Sequence, residues 1–476
     1  MTITIDKFTV HVLGTKDEVA IESFFKQIST EENQPLAGFI YLGSKQKHGM
    51  KTDELFEKKQ FSILKMIFLC AKYFVGAPRH DHSFFISSLR LDGGLGLLSS
   101  ENIVQAGLFG LHKSLAIEWE DLILSKAIDL ADQLTPDVAS DYLLEEILTT
   151  NYTHAEVGRN LEGGRVIPVL VETYIEDDLK GKQIALKPTD TLLVTGGGRG
   201  ITASCAIHLA RESQCRFILL GRTDLSTDIS WAKGERDQMV LKHLALAKFK
   251  AENADRAPKP SEIDQLVKAA LHHREVTDTL NAIAAVGGRA VYAAADVRDA
   301  KALQAVVKKY EQELGTITGV IHGAGSIADK KIQRKTTADF DHVFGSKIEG
   351  LDACLKALDI DKLKHFIIFS SIAGYFGNAG QTDYSMANEV MNKFAFYFNR
   401  HHPTCQTVSI NWGPWDGGSM VNESIRNAIK DTELTLIPTD VGTAYFVQQF
   451  FEQDHPAQII INCSERLIRP EVSLNK

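Results

Sequence analysis

The sequence predicts an α/β protein built on a doubly wound parallel sheet, and three observations predict it. Short apolar runs alternate with helix-like segments along the chain. A strand runs directly into a glycine-rich turn and a helix start at Leu192 to Thr202. The first half of the chain looks like a degraded copy of the second. Such alternation favours parallel strands with helices on the sheet faces, because each crossover must return the chain to the same edge.

The opening MTITIDKFTV alternates apolar and polar residues as a strand does and shows neither a signal-peptide nor a transit-peptide pattern. Apolar runs at Phe8 to Leu13, Phe39 to Leu42 and Phe84 to Ser87 predict strands, and Phe61 to Phe74 and Val104 to Trp119 predict helices. The stretch Phe61 to Ala77 is the most membrane-like, but it is short and carries Lys65 and Lys72, so it reads as a core helix and not a span. Arg165 to Thr173 is a further strand. The polar piece Glu176 to Pro188 reads as a linker, dividing the chain into residues 1–180 and 181–476.

After the division come a strand at Thr191 to Val194, a helix from about Ile201 and a strand at Phe217 to Leu220. The stretch from Arg222 to Gly287 is too long for one crossover helix. Trp231 to Asn253 and Ser261 to Ala285 predict two helices broken at Pro258-Lys259-Pro260, a helical insertion at about 228–285. Its many charges favour a solvated hairpin over a partner-docking arm. Strands at Ala290 to Ala295, Gly319 to Ile321 and Gln406 to Ile410 complete the sheet.

The repeat rests on SFFISSLRLDGG at Ser83 to Gly94, which parallels HFIIFSSIAGYFG at His365 to Gly377, each before a long helical stretch. The first copy has no glycine-rich strand-to-helix turn, and Glu101 stands thirteen residues after Ser88, where the second copy has a tyrosine after its serine. It is expected to fold like the second half without its chemistry, as a packing partner.

Of 476 residues, 44% are hydrophobic and 24% charged, and a net charge of −9 argues against a nucleic-acid binder. Six cysteines lie scattered with no CxxC or Cys/His cluster, so no metal site is expected and the cytoplasm is the expected compartment.

In Leu192 to Thr202 the glycines let backbone N–H groups approach a pyrophosphate, and the helix N-terminus stabilises its charge. Thr195, Gly196, Gly198, Arg199, Gly200 and Ile201 are the expected contacts. Where an NAD-selective site would present a carboxylate to the ribose, this chain offers Gly221-Arg222. Arg199 and Arg222 supply two guanidinium groups for a 2′-phosphate, so NADPH is the expected cofactor. Asp296-Val297 and His322-Gly323-Ala324-Gly325 end the next two strands, where a doubly wound sheet binds its ligand.

TGGGRGIT, LLGRT, ADV, HGAG, GSKIEG, FSSIAG and Tyr384-Ser385-Met386-Ala387-Asn388 follow in order. Together they resemble the ketoreductase domain of modular polyketide synthases and polyunsaturated-fatty-acid synthases, a branch of the short-chain dehydrogenases/reductases. The resemblance implies two Rossmann-like subdomains: an N-terminal truncated structural one without cofactor and a C-terminal catalytic doubly wound parallel sheet. It makes Tyr384 the general acid and Ser371 the carbonyl's hydrogen-bond donor, with Lys347 and Asn388 completing the set. Most short-chain reductases carry lysine four after the tyrosine; here Asn388 stands there and Lys347 matches the exchanged position of the synthase ketoreductases. A free tyrosine titrates near ~10, and a cation beside it would bring its phenolate closer to neutral pH.

The resemblance further implies cofactor contacts at Ser370 and Pro414, a lid helix at about 419–430 with Met420 against the substrate, and substrate contacts at Asp329 and Phe376. The loop Ile327-Ala328-Asp329 keeps only the last acid of the Leu-Asp-Asp pattern, and no tryptophan stands at 376; these lean to the D-3-hydroxyl product. The implied substrate is a β-ketoacyl thioester on an acyl carrier protein, with other synthase domains as partners and neither nucleic acid nor membrane. No ketosynthase, acyltransferase or carrier-protein segment is recognisable, so either an excised domain or a stand-alone protein working in trans is expected. Two other readings stay open: a free-standing short-chain dehydrogenase acting on a small ketone or alcohol, and a catalytically silent NADPH-binding module of a synthase. Turnover of a small ketone without any thioester selects the first; cofactor binding without oxidation selects the second.

Overall fold

The structure, a computed structural model, describes residues 2–5, 8–11, 17–31, 35–45, 49, 52–149, 153–173, 184–253, 255–417, 436–451, 455–461 and 467–475. The strands of the first part are β1 (Thr2–Ile5), β2 (Phe8–His11), β3 (Leu36–Leu42), β4 (Arg79–Leu89), β5 (Ile123–Leu130), β6 (Glu156–Arg159) and β7 (Arg165–Thr173). Those of the second are β8 (Thr191–Thr195), β9 (Arg216–Gly221), β10 (Arg289–Ala294), β11 (Ile317–His322), β12 (His365–Ser371), β13 (Gln406–Trp412), β14 (Trp415–Asp416), β15 (Ile437–Pro438), β16 (Gln458–Ile461) and β17 (Leu467–Asn475). The helices are α1 (Glu18–Glu31), α2 (Lys58–Phe74), α3 (Gly107–Trp119), α4 (Pro136–Leu148), α5 (Gly200–Ser213) and α6 (Gln238–Glu252). They continue as α7 (Pro260–Ala285), α8 (Ala300–Leu314), α9 (Thr337–Ala357), α10 (Ile372–Phe376), α11 (Thr382–His401) and α12 (Thr439–Gln448).

Thirteen strands form one sheet in the order β10-β9-β8-β11-β12-β13-β16-β17-β7-β6-β5-β4-β3. The run β10 to β16 is parallel throughout, and so is β6 to β3. Two strands splice the runs: β17 pairs antiparallel with both β16 and β7, and β7 with β6. The copy read in the sequence reappears as matching strand orders, β11-β12-β13-β16 against β3-β4-β5-β6, with β4 in the place of β12. Among the described residues the first part adds no strands to the sheet beyond β3, whereas β8-β9-β10 continue it beyond β11.

One apolar core crosses the division at residue 180. Phe68 of α2 lies 5.0 Å, ring to ring, from Phe340 of α9, Phe61 lies 5.7 Å from Phe344, and Phe56 lies 6.1 Å from Phe394. Each such buried side chain contributes roughly 1.5–3 kcal/mol, so both parts depend on the shared face. Helix α3 crosses α11 at its first turn. A Cβ on Gly110 would stand 2.3 Å from the Ser385 carbonyl oxygen, and the Ser114 hydroxyl donates to that of Ser385 at 2.8 Å. Gly110→Val is therefore expected to destabilise the protein by about 1–3 kcal/mol through overpacking and to lower turnover by displacing α11. Urea denaturation and a rate measurement on the variant check this; unchanged values would mean that the crossing yields freely.

The loop after β4 closes on itself. Asp92 accepts from the N–H groups of Gly94, Gly96, Leu98, Ser99 and Ser100, and buried Asp129 accepts from Leu91 and Leu95. Amides that would face a ligand at a strand's C-terminal end are thus bonded within the protein.

Two departures from the sequence reading have physical causes. Strand β5 and helix α4 were not expected, because Ile123–Leu130 carries Ser125, Lys126 and Asp129 among its apolar residues. All are buried, and Lys126 is paired with Glu146 at 3.0 Å, so partners in α4 make a polar-looking segment a core strand. The first insertion helix begins at Gln238, not Trp231. Lys233 and Gly234 take left-handed conformations, and Asp237 caps the helix by accepting from Met239 and Val240 N–H. Trp231 instead sits in a single 3-10 turn, against the small core of the hairpin.

Candidate active site

Strand order reverses between β8 and β11, and the cleft lies at their C-terminal ends, as the topology of open α/β sheets requires. The turn after β8 needs its glycines. Gly196 has φ +70° and Gly200 φ +66°, the left-handed region that side chains other than glycine's disfavour. A Cβ on Gly196 would also lie 2.9 Å from the Gly323 carbonyl oxygen, and one on Gly323 would lie 2.5 Å from Thr202 Oγ1. The two loops therefore form a shallow backbone cradle opening on the N-terminus of α5, which suits an anionic dinucleotide.

Behind it, a chain of hydrogen bonds fixes the cradle to α9. Buried His322 has Nε2 2.9 Å from the Lys347 carbonyl and Nδ1 2.9 Å from Thr195 Oγ1. Burial and the nearby Lys347 charge hold the imidazole down to about 4, so it is neutral, with Nε2 donating to the carbonyl and Nδ1 accepting. The Ala324 N–H completes the chain by donating to Thr195 Oγ1 at 3.2 Å.

Lys347, Tyr384, Ser371 and Asn388 come together beside this cradle. Lys347, on α9, places Nζ over the Tyr384 ring 5.2 Å from its centroid and donates to the Phe369 carbonyl at 3.0 Å. Tyr384 lies in the first turn of α11, only 9% exposed. Ser371 ends β12 and caps α10, its Oγ accepting from Ala373 N–H at 3.2 Å. Asn388, one turn after Tyr384, donates from Nδ2 to the Tyr384 carbonyl at 2.8 Å; its buried Oδ1 has no partner among the described residues.

Burial dominates the electrostatics. It pushes the Tyr384 phenol up, with hydrogen bonding from Ser371 and Asn388 pulling down and the Asp329 charge pushing up. It also brings the Lys347 ammonium down to about 7. The phenol thus rests protonated, against the expectation that the neighbouring cation brings it down toward neutral pH, because burial outweighs the other influences and also lowers the Lys347 ammonium, whose charge is lost as pH rises through about 7. For the free enzyme, kcat/KM for ketone reduction is expected to fall as pH rises through about 7. In Lys347→Met that limb should disappear together with most of the rate, and a limb surviving in this variant would assign it to another group.

The other expected residues are placed as follows. Arg199 has Nη1 3.0 Å from His272 Nε2, and exposed Arg222 follows β9. A Cβ on Gly198 or Gly221 would strike Tyr292, and Ile201 stands in the first turn of α5. Asp296 pairs with Arg298 at 2.7 Å, which holds it down to about 2, and Val297 packs against Gly350 of α9. Gly325 approaches Lys347 so closely that a Cβ there would lie 3.0 Å from Cε. The Ser370 hydroxyl faces inward, 3.3 Å from the Asn388 carbonyl. Pro414 accepts from Ile437 N–H at 2.7 Å beyond β13, and Trp412 and Trp415 pack edge-on in the core. Exposed Asp329 accepts from Gln381 Nε2 at 3.1 Å at the entrance to α11, and Phe376 is 49% exposed beside Tyr375. Met420 and the expected lid at about 419–430 lie outside the described residues.

Sequence reasoning missed the buried pair beneath this site. Lys335 Nζ binds the Asp383 carboxylate and the Ala328 carbonyl, the latter at 2.9 Å, and Asp383 accepts from Tyr384 N–H at 2.9 Å. Glu118 of α3 accepts from both Ile332 and Gly380 N–H at 2.8 Å. Nothing in local spacing marks either; the only signal is Asp383 beside Tyr384.

Fold and site together define a reductase of the short-chain dehydrogenase/reductase type, with nicotinamide-cofactor chemistry. Residues 190–417 match the family model for the KR domain. This part of the chain is a KR domain, and its relatives are polyunsaturated-fatty-acid and polyketide synthases. It is 34% identical over 390 residues to a polyunsaturated fatty acid synthase of Thraustochytrium sp. (strain ATCC 26185 / S-3), covering 79% of this chain and 14% of that protein. To polyketide synthase PksL of Bacillus subtilis (strain 168) it is 36% identical over 364 residues, covering 75% of this chain and 7% of that one. The chain thus spans a small part of these relatives. Its fold is similar to that of a ketoreductase domain from the bacillaene assembly line, with TM-score 0.64, 22% identity and coverage of 91% and 93%. An N-terminal ketoreductase from the macrolactin assembly line gives TM-score 0.65 at 20% identity, covering 94% of this chain and 76% of that one. Among the described residues no helix is long and apolar enough to cross a membrane.

Proposed function

We propose that the chain reduces a β-ketoacyl thioester carried on an acyl carrier protein to the β-hydroxyacyl thioester, with NADPH as reductant. The meeting of Lys347, Tyr384, Ser371 and Asn388 beside a glycine cradle carries this reading. NADPH, when bound at the glycine cradle, would supply the hydride for the ketone carbon. Negative charge then grows on the carbonyl oxygen, where the Ser371 hydroxyl donates a hydrogen bond and Tyr384 gives up its proton. Lys347, over the ring face, stabilises the phenolate left behind, and its own place is held by the Phe369 carbonyl. Asn388 Oδ1, buried and without a partner among the described residues, is suited to orienting Lys347 or a water.

Arg199 and Arg222 favour NADPH over NADH, because a 2′-phosphate gains two guanidinium partners and meets no carboxylate at position 222. Asp329, held by Gln381 just before α11, and the lack of a tryptophan at 376 favour the D-3-hydroxyl product. The named synthase relatives support carrier protein and neighbouring synthase domains as partners. In this reading residues 1–180 are the structural part and residues 181–476 the catalytic part.

The test is NADPH oxidation with an acetoacetyl thioester of pantetheine or carrier protein, followed by chiral analysis of the product. Thioester-dependent oxidation yielding the D-alcohol is expected. An L-alcohol would overturn the stereochemical assignment alone. Turnover of small ketones without any thioester would replace the reading with a free-standing dehydrogenase, and cofactor binding without oxidation would replace it with a silent module.

A further inference from the structure

We propose that helix α7 of the insertion forms a third wall of the site for the cofactor's 2′-phosphate, with His272 and Lys268 selecting the phosphate beside Arg199 and Arg222. The inference rests on the NADPH reading above and extends it to a part of the chain that read as a solvated hairpin.

Three contacts anchor α7 to the cofactor loops. Thr279 Oγ1 donates to the Gly198 carbonyl at 3.0 Å. Val276 Cγ2 stands where a Cβ on Gly198 would come within 3.1 Å. His273 Nε2 lies 3.1 Å from the Leu225 carbonyl, in the loop that follows Arg222. The helix is therefore fixed in place against both loops that carry the arginines. It also lines the cavity of about 270 Å³ at the N-terminus of α5, through Glu275, Asp278 and Thr279 opposite Arg199, Gly200 and Ile201.

One turn before Val276, His272 Nε2 accepts from Arg199 Nη1 at 3.0 Å, which aims the guanidinium. Lys268 is four residues earlier and shares that helix face. The charges of Arg199, Lys268 and Arg222 all bear on the half-buried imidazole and, after burial itself, hold it down to about 4. Two carboxylates of α7, Glu275 and Asp278, line the same cavity, and Asp278 is engaged by Arg236 at 2.7 Å. Glu275 is 3.8 Å from Arg199, and Asp296 is engaged by Arg298. Lys268 and Arg222 add to Arg199 two cations that suit an anion, and a ribose phosphomonoester is the anion that the neighbouring cradle would deliver. NADH brings no charge to that position.

Dissociation constants for NADPH, NADH and adenosine 2′-monophosphate, measured by calorimetry on the full chain, test the proposal. His272→Ala and Lys268→Ala are each expected to weaken NADPH and adenosine 2′-monophosphate by about tenfold, one hydrogen-bonded or charged contact, and to leave NADH unchanged. Lys268 is exposed, so its variant carries little risk to folding. Equal loss for NADPH and NADH, or no loss for either, would overturn the role of α7. If Arg222→Ala lowers the preference while both α7 variants do not, the NADPH reading stands and this inference falls. A wild type that binds NADPH and NADH equally would remove both.

Discussion

Tyr384→Phe is expected to lower turnover by about 10²–10⁴-fold, the usual worth of a positioned general acid, with the dissociation constant for the nicotinamide cofactor unchanged. The substitution removes one oxygen from a ring that is 9% exposed and keeps the packing that sets the start of α11. On the proposed mechanism the lost group is the proton donor: burial keeps the phenol protonated, and Lys347 stands over the ring face. Ser371 remains as a hydrogen-bond donor, so residual activity above background is expected, and Ser371→Ala in the same background should lower it by less than Ser371→Ala lowers the wild type, because the two hydroxyls serve one oxygen. Single-turnover reduction alongside calorimetric cofactor titration separates the steps. Near-wild-type turnover in Tyr384→Phe would mean that the proton comes from elsewhere.

Lys335→Met is expected to cost about 3–5 kcal/mol of stability at neutral pH, the penalty for stranding one partner of a buried ion pair. Lys335 and Asp383 are both fully buried, and Asp383 Oδ2 has no partner among the described residues even with the lysine present. Burial already raises the Asp383 carboxyl to about 6, with Lys335 opposing the rise; without the lysine it rises further. The sign follows. A carboxyl whose folded value lies above its unfolded one favours folding at pH below the unfolded value, and that contribution is lost as pH rises through the folded value. The deficit of Lys335→Met should therefore shrink as pH is lowered from about 7.5 to about 5, and Asp383→Asn in the same chain should recover part of it at neutral pH. Turnover should fall as well, because Lys335 ties the Ala328 carbonyl, next to Asp329, to the residue before Tyr384. Urea denaturation at both pH values measures the effect, and a deficit independent of pH would show that Asp383 is not the group responsible.

The repeat was legible in the sequence because strands β4 and β12 keep the same apolar run ending in serines. The splice through β7 and β17 was not legible, because an antiparallel pair between residues 165–173 and 467–475 has no local signature. Strand β5 hid for a related reason: Lys126 and Asp129 look like surface residues until Glu146 and the backbone of the loop after β4 are brought to them. The glycine turn and Tyr384 announced themselves, since backbone freedom and a fixed offset from Ser371 are properties of neighbouring residues. Lys335, Glu118 and His272 did not, since each acts on a residue distant in the chain.

The order of residues alone determined the strands with unbroken apolar runs, the glycine-rich turn after β8 and the types of side chain at the candidate site, because those follow from periodicity, glycine φ values and short spacings. Tertiary structure decided that both halves share one sheet and one core, that α3 sets the position of α11, and that the insertion lies against the loops after β8 and β9. The reason is physical: burial and charge pairing are sums over neighbours in space, and a chain's neighbours in space are fixed only when the whole of it has folded.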